Sequence, residues 1–174
     1  MQTTSTIFLH GLDSSSQGTK GRFFQDYFPE VIRPDFSGDL DERLQYLEKI
    51  CASKNKLTFI GSSFGGLMAS CFALKYPEQV ARLILLAPAL NYGDFRVPEV
   101  MLPTPTILVI GKYDTVTPAD LVIPLAEKTF SNLEVFIEED DHMLHNSFMQ
   151  LDWNMLIGEE PEGGELGSKI IKVS

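Results

Sequence analysis

The sequence is poor in cysteine, histidine and basic residues, and each scarcity closes off a class of function. Cys51 and Cys71 are the only cysteines. Both fall in segments patterned as helix, with neither CxxC spacing nor a neighbouring histidine, so they read as buried free thiols rather than as zinc ligands or a disulfide framework. Lys and Arg number 14 against 24 Asp and Glu, giving a formal net charge of −10. The basic residues are scattered, so a surface that tracks nucleic-acid phosphates is not expected. No apolar run approaches the roughly 20 residues needed to cross a bilayer, and residues 1–6 lack the basic-then-apolar order of a secretion signal. The expectation is a cytoplasmic protein with no membrane span and no nucleic-acid partner.

What is present is an ordinary globular composition over 174 residues, with 44% hydrophobic and 22% charged residues. That suits one domain with a substantial core. Short apolar runs that end in Gly, Asp or Pro alternate with longer helical patterns, the mark of a mainly parallel sheet covered by helices. Strands are expected over residues 6–9, 30–34, 57–61, 80–86, 106–110 and 133–137. Helices are expected over 20–28, 40–50, 64–76, 120–130 and 147–156, with Asp39 as the N-cap of the second. The class is therefore α/β, with a central sheet of about six strands and helices on both faces. Residues 87–105 are too short and proline-rich to hold a helical cap. From Gly158 onward the sequence is dominated by Gly and Glu and reads as a flexible tail after a domain spanning 1–157.

The chemistry gathers at the ends of these strands. Gly61-Ser62-Ser63-Phe64-Gly65 matches G-x-S-x-G between a strand and a long apolar helix, where a sharp turn lifts Ser63 to a helix N-terminus. The plainer reading is a glycine-rich turn with a capping serine, and the placement between strand and buried helix argues against it. A serine hydroxyl needs a histidine to take its proton and a carboxylate to orient that histidine. Of His10, His142 and His145, the order Ser, acid, His selects one of the last two. His142, directly after the final strand in Asp140-Asp141-His142, is preferred to His145. Asp114, just beyond the 106–110 strand, is the favoured acid, with Asp94 second and a simple turn-capping role as the alternative. The acidic run from Glu138 to Asp141 reads as a solvated turn. His10-Gly11-Leu12 follows the first strand, so the Leu12 amide would pair with the Phe64 amide as oxyanion donors, and His10 would stabilise the turn.

These elements, from His10-Gly11-Leu12 through the 61–65 motif to Asp114 and His142, resemble the α/β-hydrolase superfamily over almost the whole chain. The run His10-Gly11-Leu12-Asp13-Ser14-Ser15-Ser16 followed by Lys20 looks like the small lidless bacterial esterases of the YqiA type. The resemblance implies an α/β-hydrolase fold without a cap. It also implies hydrolysis of a small-molecule carboxylic ester or thioester through an acyl-serine, with no metal or organic cofactor. A scaffold that kept the fold as a binding or regulatory module without turnover is the competing class. The pattern is silent on oligomeric state.

Overall fold

The computed structural model describes residues 4–158. Five strands, β1 (Ser5–Leu9), β2 (Leu57–Ser62), β3 (Val80–Leu86), β4 (Thr106–Gly111) and β5 (Leu133–Glu138), form one sheet in that spatial order. Every pairing is parallel. The helices are α1 (Thr19–Tyr27), α2 (Leu40–Cys51), α3 (Phe64–Lys75), α4 (Ala119–Thr129) and α5 (Trp153–Ile157).

Because successive strand residues point to opposite faces, one sheet feeds two cores. Ile7 and Leu9 of β1, Phe59 of β2, Leu83 and Leu85 of β3 and Leu108 of β4 pack with Leu47 of α2, Leu67 and Met68 of α3, and Val122 of α4. Phe8, Ile60, Ile84, Leu86, Ile107 and Val109 turn the other way, onto Phe24 of α1 and Trp153 and Leu156 of α5. Helix α2 opens with the expected cap: the Asp39 side chain accepts from the Glu42 amide, and the Glu42 carboxylate accepts from the Asp39 amide, each at 2.9 Å. Helix α3 is buried around most of its circumference, as its sequence demands.

Two elements differ from the sequence pattern. Residues 30–34 contribute only a single parallel bridge, Ile32 to Ile7, with Phe8 N–H donating to Ile32 O and Ile32 N–H to Thr6 O, both at 2.9 Å. The Pro29 and Pro34 rings that bracket this segment supply no N–H, which restricts pairing to its centre. The expected 147–156 helix is broken into a 3-10 turn, Phe148–Gln150, and the short α5. Asp152 interrupts it by turning its carboxylate onto the Met155 amide and capping a new helix. The proposed tail lies, Gly158 apart, outside the described residues.

The bridge has a topological consequence. The chain leaves β1 on the side of Ile32 and returns on the other side as β2, so the connections diverge at the carboxyl ends of these two strands. That reversal opens a crevice at the edge of a parallel sheet. The register pairs Leu9 with Gly61, which sets the residues that follow β1 beside those that follow β2.

On the α1 face, Trp153 packs edge-on to Phe24, with ring centres 5.0 Å apart, and its Nε1–H donates to Phe148 O at 2.9 Å. Trp153→Ala is expected to cost about 3–5 kcal/mol, read as a lowered urea midpoint.

Candidate active site

Ser63 occupies the turn between β2 and α3 with φ 53° and ψ −113°. A positive φ is unusual for a residue with a side chain and is held here by the surrounding packing. Its N–H donates to Leu86 O at 2.9 Å, and its carbonyl accepts from Ala89 N–H at 3.0 Å and Gly66 N–H at 2.9 Å. The turn fits only because α3 starts against bare backbone. A Cβ on Gly65 would lie 1.9 Å from Leu9 O, and one on Gly61 would lie 2.5 Å from Gly65 O. The Ser63 side chain makes no capping hydrogen bond to α3.

Its Oγ instead faces His142, 3.1 Å from Nε2. On the far side of the ring, Nδ1 stands 2.7 Å from Asp114 Oδ2. An ionised carboxylate only accepts, so Nδ1 carries the proton and Nε2 is left to receive one from Ser63. The Asp114 side chain is fully buried, whereas that of His142 is 19% exposed. Three residues separated by 51 and 28 positions in sequence thus form one continuous hydrogen-bonded chain.

Asp114 does two things at once. Its Oδ1 accepts from the amides of Val116 and Thr117 at 2.8 and 2.7 Å, the turn-capping role, while Oδ2 faces the imidazole. Thr117 Oγ1–H also donates to Oδ2, at 2.7 Å, and stands 3.2 Å from Ala87 O. Thr117 was not singled out from the sequence, although the Asp-x-x-Thr spacing after a strand is the signal that would have found it. His145 pairs with Asp141 on the surface at 2.7 Å, and Asp94 is exposed in the turn after β3. His10 is buried: its Nε2 accepts from Phe36 N–H at 2.8 Å, so Nδ1 carries the proton and donates to Gly11 O at 2.7 Å.

The turns that carry Asp114 and His142 are sewn together. Lys112 N–H donates to Glu138 O at 2.7 Å, and Tyr113 N–H to Asp140 O at 3.0 Å. Only glycine fits at 111, since a Cβ there would lie 2.5 Å from the carbonyls of Asp140 and Asp141. The 138–141 run is not a wholly solvated turn, because Asp140 is 4% exposed. Burial alone would disfavour its charge. The Ser147 hydroxyl and the amides of Ser147, Asp141 and Asn146 overcome that and hold its carboxyl down at about 2. Asp140 thereby closes a loop around His142 whose other anchor, Leu144, is fully buried at φ 54°. Lys20 reaches the same loop, its ammonium donating to Met143 O at 2.7 Å. Burial pushes Lys20 down, against the pull of Asp141 and Asp140.

Leu12 lies across the crevice from Ser63. Its amide and that of Phe64, the first residue of α3, make no backbone hydrogen bond among the described residues. The cleft above them measures about 650 Å³ and is lined by Leu12, Ser63, Phe64, Tyr92, His142 and Met143 among others. Residues 87–105 run from β3 to β4 without a helix and supply one wall. Among the described residues no group of three or more His, Cys, Asp or Glu could hold a metal ion, and no helix is long and apolar enough to cross a membrane. Cys51 is buried and Cys71 half-buried, both free, and burial raises each thiol to about 11.

The same architecture recurs in solved structures. Alpha/beta hydrolase domain-containing protein 10 from mouse superposes with a TM-score of 0.65 over 80% of this chain and 82% of its own, at 17% identity. The chain has the α/β-hydrolase fold. The esterase EaEST from Exiguobacterium antarcticum shares this fold with a TM-score of 0.66, at 12% identity, over 85% of this chain and 88% of its own. A family model described as "Serine aminopeptidase, S33" matches residues 33–103 of this α/β-hydrolase-fold chain, a stretch that includes Ser63 but neither Asp114 nor His142. Rat 1-acylglycerol-3-phosphate O-acyltransferase ABHD5 is 39% identical over 67 aligned residues, covering 35% of this chain and 19% of that protein. The α/β-hydrolase-fold chain therefore spans about a fifth of the length of that curated relative.

Asp140→Asn tests the loop. A carboxyl depressed in the folded state stabilises the protein above its unfolded value near 3.9 and loses that contribution as pH falls toward 2. The wild type is expected to lose stability steeply between about pH 4 and pH 2. Asp140→Asn should show a shallower acid limb and lower stability at pH 7 in denaturant titrations.

Proposed function

We propose that this protein is a serine hydrolase that cleaves a carboxylic ester or thioester through an acyl-serine intermediate. The observation that carries the reading is the chain from Ser63 Oγ through His142 to Asp114, at 3.1 and 2.7 Å, opening onto a cleft. The esterase that shares the fold supports the choice of bond, and the likeness of the 10–20 segment to small lidless esterases belongs to the same reading.

The steps follow from the geometry. Ser63 Oγ attacks the substrate carbonyl carbon as its proton passes to His142 Nε2, and the buried Asp114 carboxylate stabilises the imidazolium that results. Negative charge builds on the carbonyl oxygen where the Leu12 and Phe64 amides can donate to it, helped by the N-terminus of α3. His142 then gives its proton to the leaving alcohol or thiol. In the second half it takes a proton from water as the hydroxyl attacks the acyl carbon, then returns that proton to Ser63 Oγ as the acyl–serine bond breaks and the carboxylic acid is released. Oxyanion donors that need no reorganisation are each worth about 2.7–4 kcal/mol in such sites.

Ser63→Ala is expected to abolish hydrolysis of short- and long-chain ester and thioester probes while keeping the wild-type circular dichroism. A fluorophosphonate should label wild-type Ser63 stoichiometrically and leave Ser63→Ala unlabelled. Equal hydrolysis by both proteins would sink the assignment, and a folded wild type that resists labelling would favour a binding module.

A further inference from the structure

Arg43 lies on α2, outside the Ser63–His142–Asp114 chain, yet it touches both Leu12 and Phe64, which line the cleft beside Ser63. It is 4% exposed. Its Nη2 donates to Leu12 O at 3.1 Å and its Nε to Gly38 O at 2.9 Å, while its guanidinium carbon sits 5.2 Å from the centre of the Phe64 ring. The other face of that ring environment is set by Tyr92, edge-on at 5.5 Å, which lines the cleft. Nη1 is buried without a hydrogen-bond partner.

This is an expensive way to support a fold. A buried cation is normally matched to a carboxylate, and an apolar side chain of similar volume would satisfy a helix face at less cost. Here the hydrogen bonds go to neutral carbonyls, so the positive charge is not cancelled by its partners. Burial pushes the guanidinium down, opposed by Asp13, and an arginine remains charged throughout. A charge kept in a water-poor setting acts over a longer distance than one at the surface.

We propose that Arg43 is a positioning residue for the oxyanion site. By holding the Leu12 carbonyl it fixes the backbone of the residue that donates one amide. By stacking on Phe64 it fixes the residue that donates the other, and its charge, which no hydrogen-bonded carboxylate neutralises, favours the negative oxygen that both receive. His10 restrains the preceding peptide from the opposite side, through Gly11 O, so the Gly11–Leu12 segment is gripped at both carbonyls. The inference rests on the hydrolase reading above and adds a residue that the reading does not need for proton transfer.

The contribution should appear in the chemical step rather than in binding. Arg43→Met, which keeps volume and loses charge and donors, is expected to lower kcat for an ester probe about 10- to 100-fold with KM nearly unchanged. The second-order rate of fluorophosphonate labelling at Ser63, which also builds charge on an oxygen in that site, should fall in parallel. Arg43→Lys, which returns the charge without the planar fork, should recover part of both rates and covers the case in which Arg43→Met fails to fold. A folded Arg43→Met with wild-type kcat and labelling rate overturns the inference and leaves the hydrolase reading standing. So does a loss in which KM rises with falling thermal stability and Arg43→Lys recovers nothing, since that is the signature of a purely structural arginine. A wild type that neither labels nor hydrolyses any probe overturns the hydrolase reading itself, and the inference with it.

Discussion

The seating of α3 on the carboxyl ends of β1 and β2 is the constraint from which the site follows. The helix starts so close to the sheet that its second residue has no space for a side chain against Leu9 O. The residue before it is forced to a positive φ. Such a conformation costs on the order of 1–3 kcal/mol, and the burial of Leu67, Met68, Phe72 and Ala73 along the same helix more than offsets it. The strain raises the Ser63 hydroxyl clear of the backbone, and the short start of the helix leaves the Phe64 amide without a backbone acceptor. The same approach brings the Gly11–Leu12 turn alongside, because β1 and β2 end in register.

A second constraint lies two strands away. The turns after β4 and β5 are hydrogen-bonded to each other through their backbones, which fixes Asp114 and His142 relative to one another. Asp140 fastens the 140–147 loop from within, and the buried Leu144 and Phe148 fasten it to the α1 core. Tolerances of a fraction of an ångström decide proton transfer. Core packing and buried hydrogen bonds, rather than contacts among Ser63, His142 and Asp114 alone, hold the spacing of these three side chains.

Strand alternation, the N-cap at Asp39 and the apolar girth of α3 were legible in the sequence because each depends on neighbours within one turn or one pleat. Ser63 was read from the local G-x-S-x-G turn, Asp114 from its place beyond the 106–110 strand and His142 from chain order, and the structure brings the three into one hydrogen-bonded chain. What sequence spacing did not reveal depends on long-range packing. Asp140 looked like one more residue of an acidic turn, since nothing local shows that four donors converge on it. Arg43 was not singled out, although it stands three residues after Leu40 and four before Leu47, on the apolar stripe. The Ile32 segment has the composition of a strand, but its bracketing prolines limit it to one bridge.

The division of labour within Asp114 bears on how such chains change over time. One oxygen organises the turn after β4 and the other faces the imidazole, so the demands of folding alone would retain the aspartate. Ser63 sits at the opposite extreme: its side chain caps nothing, and only its awkward backbone is structural. Folding alone would therefore release the serine hydroxyl to substitution long before the carboxylate, so the two side chains answer to different constraints.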